Sequence, residues 1–324
     1  MDKKTWQTGR RLAYNCAMSH QREVRSDDWP RRRLAELLNA VTERDGTHPT
    51  PVEGVEVWRS SSPIPRHPVV YQPKIVVVGQ GRKRGYLGDQ VYQYDASNYL
   101  VLSVPLPFEC ETEASPEEPL LAVTVAVDPT VLGEMLLEID EVAPQEPAAV
   151  PRGIYSTPLT AELSDAVVRL LECLGSPLDS RILGRQTARE VIYRVLRGQQ
   201  GGALRALANR NESFTRIARV LRCIHTDYAQ PLTIEDLARR AGMSVSVFHH
   251  NFKLVTATSP LQYLKQVRLH RARTLMVYDG HNAGTAALRV GYESPSQFSR
   301  EFKRLFGETP LEEAEKTRAR LVAS

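Results

Sequence analysis

The interval between apolar positions changes along this chain, and each change marks a different kind of structure. In LAELLNAVTER, Leu34, Leu37, Leu38 and Val41 fall on one helical face and predict a short amphipathic helix. Between Val52 and Val127 the interval shortens to alternating or unbroken apolar runs set off by Pro and Gly: VEVW, PVVYQP, KIVVVGQG, VYQYD, YLVLSVPLP and LLAVTVAVD. These runs predict the strands of a β-barrel or sandwich, with turns at Gly79 to Gly85 and at Leu87 to Gln90. Helical spacing returns in PTVLGEMLLEIDE, and the Pro-rich EVAPQEPAAVPRG that follows predicts a connector. Two helices are expected next, from about Leu159 to Gly175 (Leu163, Val167, Leu170, Leu171, Leu174) and from about Asp179 to Arg197 (Ile182, Leu183, Val191, Ile192, Val195, Leu196). Their stripes suit an antiparallel pair that closes over the barrel or meets its copy in a second chain. GQQGG interrupts the pattern, and Ala203 to Ser213 is expected to be a linker.

The last third repeats itself. TIEDLARRAGMSVSVFHHNFK is followed by GTAALRVGYESPSQFSREFK, and Ser244, Phe248, Phe252, Lys253 and Pro260 recur fifty positions later as Ser294, Phe298, Phe302, Lys303 and Pro310. Gly242 recurs as Gly291, only forty-nine later, so the second turn carries one extra residue. Five coincidences in register, each falling on the same face in both copies, point to two related helix-turn-helix units. RIARVLRCIHTDY, from Arg216, predicts a scaffold helix; Thr233 caps the next, with Asp236 completing the cap, and Gly242 makes the tight turn. Ser244 caps the first reading helix. Val245, Phe248, Phe252 and Val255 form its apolar quadrant, while Ser246, His249, His250 and Lys253 point away. In the second copy Pro295, Phe298, Phe302 and Leu305 face in, while Ser296, Gln297, Arg300, Lys303 and Arg304 face out. Arg pairs bidentately with guanine and Gln with adenine, which makes Arg300 and Gln297 candidate base readers; His249 and His250 can donate to base or phosphate. Between the copies SPLQYLKQVRLHRARTLMVYDG predicts one helix of about eighteen residues, or about 27 Å. That length can hold two reading helices near the repeat of B-DNA, about 34 Å.

Composition narrows the classes. With 324 residues, 42% apolar and 25% charged, the chain suits two soluble domains. The net charge of +4 is unevenly divided: from Arg216 onward 17 Lys and Arg stand against 10 Asp and Glu, a balance of +7, leaving 25 against 28, or −3, for the rest. An excess of cations on the repeated unit is what phosphate neutralisation requires. No apolar run reaches membrane-spanning length and MDKKTWQTGRR has no signal-peptide core, so a cytoplasmic protein is expected. Cys16, Cys110, Cys173 and Cys223 lack CxxC spacing and read as small buried hydrophobes rather than zinc ligands or a disulfide framework. His48 and His67 are not in an HxH pair, which argues against a metal cupin; no metal and no cofactor are expected. Candidate ligand-lining residues in the barrel are Tyr71, Val76, Val78, Tyr86, Tyr92, Tyr94, Leu100, Leu102 and Phe108. The same residues equally suit a solid core.

LARRAGMSVSVFHHNFK, SPLQYLKQVRLHRARTLM and VGYESPSQFSREFKRLFGETP resemble the DNA-binding domain of the AraC/XylS family of bacterial transcription regulators, over residues 216 to 315. The family's base-reading positions fall on Ser246, His249 and His250 and on Ser296, Gln297 and Arg300. Ala257 departs from the pattern, which usually has Gly there. VVYQPKIVVVGQGRKRGYLGDQVYQYDASNYLVLSVPLP resembles the cupin-like N-terminal domain of one AraC subfamily. The resemblance implies an α+β protein: a flexible basic arm over residues 1–33, a cupin-like sensing and dimerisation domain over 34–200, a linker over 201–215, and a double helix-turn-helix domain over 216–324. It implies a cytoplasmic homodimer, an activator or repressor that meets promoter DNA and RNA polymerase, with Ser244 and Ser294 at the DNA-facing helix starts. A small-molecule effector in the barrel is one reading; a ligand-independent regulator or architectural DNA binder with a solid barrel is the alternative. An enzyme is not expected, since no catalytic constellation is visible.

Overall fold

A computed structural model describes residues 29–142, 151–199, 201–208 and 212–323. The basic arm up to residue 28, most of the Pro-rich connector and Cys16 lie outside these residues. Helix α1 (Trp29–Val41) starts at Trp29 rather than at Leu34, with Pro30 in its first turn, where no amide donor is needed. Arg33, expected in the arm, instead pairs with Glu172 at 3.1 Å.

Strands β1 (Gly46–Pro49), β2 (Val55–Ser60), β3 (Ile64–Tyr71), β4 (Lys74–Gln80), β5 (Arg82–Leu87), β6 (Gln90–Asp95), β7 (Asn98–Leu102), β8 (Leu106–Glu113), β9 (Leu120–Ala126) and β10 (Ile154–Pro158) form one antiparallel sheet, curled into a half-barrel. The order is β1-β2-β9-β4-β7-β6-β5-β8-β3, with β10 added beside β7. β1 and β10 are too short and polar to have been read from the sequence. The first turn is at Gly81, with φ of 78°, rather than spread over Gly79 to Gly85. Gly79 lies within β4 because α1 packs on it: a Cβ there would be 2.7 Å from Leu38 Cδ1.

Antiparallel partners share a face of a sheet, so register divides the two sides. Ile75 and Val77 of β4 pair with Val125 and Val123, on the side covered by α1. Val76 and Val78 pair with Thr124 and Ala122 and look into the half-barrel. α2 (Pro129–Val142) follows β9; α3 (Ala161–Leu174), α4 (Pro177–Ile182) and α5 (Gly184–Arg197) follow β10. Arg169 on α3 grips Glu190 on α5 through two nitrogens, at 2.6 and 3.1 Å. The single helix expected from Asp179 is thus divided. Gly184 lies against Val52, where a Cβ would be 2.3 Å from Cγ2, and Ile182 and Leu183 are left facing solvent rather than buried.

The expected linker is in part a helix, α6 (Gly201–Ala208). Ala203, Leu204 and Ala206 are buried, and Arg205 reaches Asp140 on α2 at 2.9 Å. Burial against α2 overrides the weak helix propensity of its glycines.

The C-terminal unit comprises α7 (Glu212–Asp227), α8 (Ile234–Ala241), α9 (Val245–Thr256), α10 (Pro260–Val277), α11 (Ala283–Arg289), α12 (Pro295–Phe306) and α13 (Pro310–Ala323). One continuous apolar cluster runs from Leu34 through the sheet and helices to Val267 on α10. A second cluster, Leu269 to Ala314, belongs to the last helices alone. The first helix-turn-helix unit is therefore packed into the half-barrel's core and the second is a satellite.

Candidate nucleic-acid interface

Each reading helix is positioned by a capped turn. Thr233 accepts from Asp236 N at 3.1 Å and donates to Asp236 Oδ2 at 2.7 Å, starting α8. Gly242 ends it in the left-handed region, φ 61°, and Ser244 accepts from Val247 N to start α9. In the second unit Asn282 caps α11, Gly291 turns at φ 83° and Ser294 caps α12 through Gln297 N at 3.2 Å. A Cβ on Gly291 would lie 2.5 Å from Ala229 O, so close approach as well as φ selects glycine.

The buried faces are those expected with two exceptions. Phe248, Phe252 and Val255 of α9 and Phe298 and Phe302 of α12 are buried, and Leu305 is half-buried. Val245 and Pro295 are exposed, because the first turn of each helix overhangs the core. The opposite faces are open: Ser244, Ser246, His249, His250 and Lys253 on the first unit, and Ser296, Gln297, Arg300, Lys303 and Arg304 on the second, are all exposed, with Ser294 half-buried. Arg300 and His250 make no hydrogen bond or ion pair among the described residues, which leaves their donors free for a ligand.

Two residues with no assigned role in the sequence fix this geometry. Glu301 accepts from Gln297 Nε2 at 3.1 Å, from Lys265 Nζ at 2.7 Å and from Tyr292 OH at 2.8 Å. Its burial would raise its pKa, but the three donors outweigh it and hold the carboxyl below its usual range. Arg268 of α10 donates to the Tyr228, Gln230 and Gly291 carbonyls at 2.7, 2.9 and 3.1 Å, tying the second turn to the end of α7. Only the i, i+4 spacing of Gln297 and Glu301 gave any signal beforehand. On α10, Leu261 is exposed and Tyr263 is buried.

The half-barrel borders the first unit. Gly153 N donates to Val255 O at 2.9 Å, and the turn from Leu87 to Gln90, with Arg152, faces His250 and Lys253 across a cleft of about 460 Å³. A second cleft of about 520 Å³ separates β3 from α10, lined by Tyr71, His67, His225, His270 and Arg271 among others. Burial drives His225 down to about 4 and His270 to about 3, with Arg271 adding to the first effect and Arg273 to the second.

Of the proposed lining residues, Tyr71, Val76, Val78, Tyr92, Tyr94, Leu100, Leu102 and Phe108 share the inner face of the half-barrel. Tyr86 does not: it pairs with Glu109 and Val91 on the outer face, donates to Glu111 Oε2 at 2.6 Å and lies under Arg66. One residue of turn position reverses the face. The inner face also carries Trp58, Lys83, Cys110 and Thr112, which the apolar pattern hid. Cys110 is buried as expected, yet its Sγ is 3.0 Å from Tyr94 OH; Cys173 is buried and Cys223 only half so, with Asp227 at 3.3 Å. Among the described residues no group of three or more His, Cys, Asp or Glu could hold a metal, and no helix is long and apolar enough to cross a membrane.

Comparison with known proteins places residues 51–203 under the family model described as the AraC-type transcriptional regulator N-terminus, and residues 237–316 under a helix-turn-helix domain. The chain is 27% identical over 145 residues to the transcriptional activator RhaS of Klebsiella pneumoniae, covering 44% of this chain and 50% of that one. It thus spans half the length of that relative. It is 24% identical over 251 residues to the virulence regulon activator VirF of Yersinia enterocolitica, covering 74% of this chain and 88% of that one. Wild-type ToxT from Vibrio cholerae, solved with a bound unsaturated fatty acid, shares the fold with a TM-score of 0.52 at 12% identity, covering 85% of this chain and 97% of that one.

Proposed function

Because the chain belongs to the AraC family of transcriptional regulators, we propose that it binds promoter DNA in a sequence-specific way through α9 and α12, one in each of two successive major grooves. The observation that carries this reading is the pair of matched, exposed polar faces at the two capped turns. In it Ser296, Gln297 and Arg300 read bases, Ser246, His249 and His250 form the weaker reader, and Ser244, Lys253, Ser294, Lys303 and Arg304 hold the phosphates and helix starts. The basic balance of the C-terminal third supplies the phosphate attraction. The N-terminal domain senses a small-molecule effector and brings two copies together, and the bound regulator acts on RNA polymerase, as an activator like the relatives above. It works in the cytoplasm and catalyses no reaction of its own.

The test is selection of bound fragments from random DNA followed by footprinting. Two short protected segments about one helical turn apart are expected. Arg300→Ala should cost roughly 1–3 kcal/mol at one base position, while Lys303→Ala should weaken all sequences alike and lower the salt slope by about one. Uniform coverage without preferred sites sinks the reading and favours an architectural binder.

A further inference from the structure

The half-barrel reaches the end of the first reading helix through one glycine. Gly153, just ahead of β10, donates its N–H to Val255 O in the last turn of α9, and its carbonyl accepts from Ser103 N, just after β7, both at 2.9 Å. A Cβ on Gly153 would stand 2.4 Å from Val104 Cγ2 and 3.0 Å from Val255 O, so a larger residue would push the two domains apart here. The preceding residue, Arg152, is thereby held beside the C-terminal end of α9. The β5–β6 turn abuts the same end: a Cβ on Gly88 would lie 3.9 Å from Ala257 O.

Arg152 and the turn residue Asp89 border the cleft of about 460 Å³ whose opposite wall carries His250 and Lys253. All four are exposed, and among the described residues none of them has an ion pair or a side-chain hydrogen bond. A guanidinium, an ammonium and an imidazole thus share one open cleft with a single carboxylate, and Asp89 closes a contact with neither cation. His250 and Lys253 stand on the outward face of α9, so the cleft opens on the side from which DNA is read. Cations left open beside a reading helix suit backbone phosphate, which they take through charge-assisted bonds that position the protein on the duplex.

We propose that Arg152 is a DNA-phosphate contact contributed by the N-terminal domain, binding a backbone phosphate next to the one taken by Lys253, and that Asp89 repels the same strand. The proposal rests on the DNA-reading function assigned to α9. It makes the half-barrel part of the DNA interface, carried on the backbone that ties the end of β7 to the end of α9.

Salt titration and ethylation interference, on the full chain with its selected sites, test this. Arg152→Ala should lower the slope of log affinity against log salt by about 0.9, a deficit of about eightfold near 0.1 M salt that closes toward 1 M, on selected and random DNA alike. Arg152→Lys should restore the slope, since an ammonium also holds a phosphate. Ethylation of one phosphate flanking the α9 half-site should weaken binding by the wild type and by Arg300→Ala, and should no longer matter to Arg152→Ala. Asp89→Asn should bind more tightly at low salt, with the gain fading as salt screens the charge. An unchanged slope in Arg152→Ala, or an Asp89→Asn that binds no more tightly, overturns the proposal. So does a lowered slope with no phosphate whose ethylation depends on Arg152, which would place the effect in the long-range field of the domain. A wild type that selects its sites while Arg152→Ala binds them with the same slope loses only this inference, whereas a wild type that selects no DNA loses the reading beneath it.

Discussion

Tyr263, near the start of α10, donates its hydroxyl hydrogen to the carbonyl of Pro105 in the half-barrel at 2.6 Å, across 158 positions of sequence. With that hydrogen committed, the 2.8 Å contact from His225 Nε2 to the same hydroxyl is a donation from a neutral ring. The three groups form a buried polar chain across the seam between the half-barrel and the first helix-turn-helix unit. Tyr263→Phe leaves the His225 N–H and the Pro105 carbonyl without their partner. It should cost roughly 1–3 kcal/mol in urea unfolding. An unchanged midpoint would show that water replaces the hydroxyl.

Acid should open the same seam. His225 and His270 are held neutral, at about 4 and about 3, against about 6.5 in an unfolded chain, so the unfolded state binds more protons in that range. Their contribution is complete above about pH 6.5. It is lost as pH falls toward 4, at about 1.4 kcal/mol per pH unit for each ring. A stability–pH curve of the wild type should fall accordingly, and His270→Gln should flatten it by one ring's share. Equal slopes in both proteins would exclude His270 as the cause.

Ala257 is a non-glycine residue in the left-handed region, at φ 56° and ψ 9°, where it ends α9 by donating its N–H to Lys253 O. The conformation costs an L-residue roughly 1–2 kcal/mol, and glycine's extra freedom in the unfolded chain offsets about half of that. Ala257→Gly should therefore stabilise the protein by about 0.5–1 kcal/mol, read as a rise in denaturation midpoint. The matching cap of α12 already has Gly307 at φ 84°.

Glu301 gathers Gln297, Lys265 and Tyr292. Glu301→Gln keeps the shape but removes the charge that Lys265 faces, and should cost about 1–3 kcal/mol of stability. In the proposed DNA complex it also releases the Gln297 amide from its fixed orientation. Base discrimination should then fall at the position Gln297 reads while the salt slope stays the same. Loss of affinity on every sequence alike would make Glu301 a purely structural residue.

Periodicity was enough for the elements whose neighbours are local. The two capped turns, the phenylalanine faces and the linker helix Pro260–Val277 all follow from spacing within a few residues, since helix caps and i, i+4 contacts are encoded where they act. The outward faces carrying Arg300 and His250 were legible for the same reason. What spacing could not supply was anything decided by partners distant in the chain. α6 was read as a linker because its burial against α2 is invisible in GGALRALA, and Tyr86 was assigned to the wrong face because a strand's side depends on its register with two neighbours. The merger of the first reading unit with the half-barrel core required both halves in place. Sequence by itself determined two reading heads on a basic scaffold. Tertiary structure decided which helix-turn-helix unit shares a core with the half-barrel and which stands on a core of its own, because burial is a property of the assembled chain.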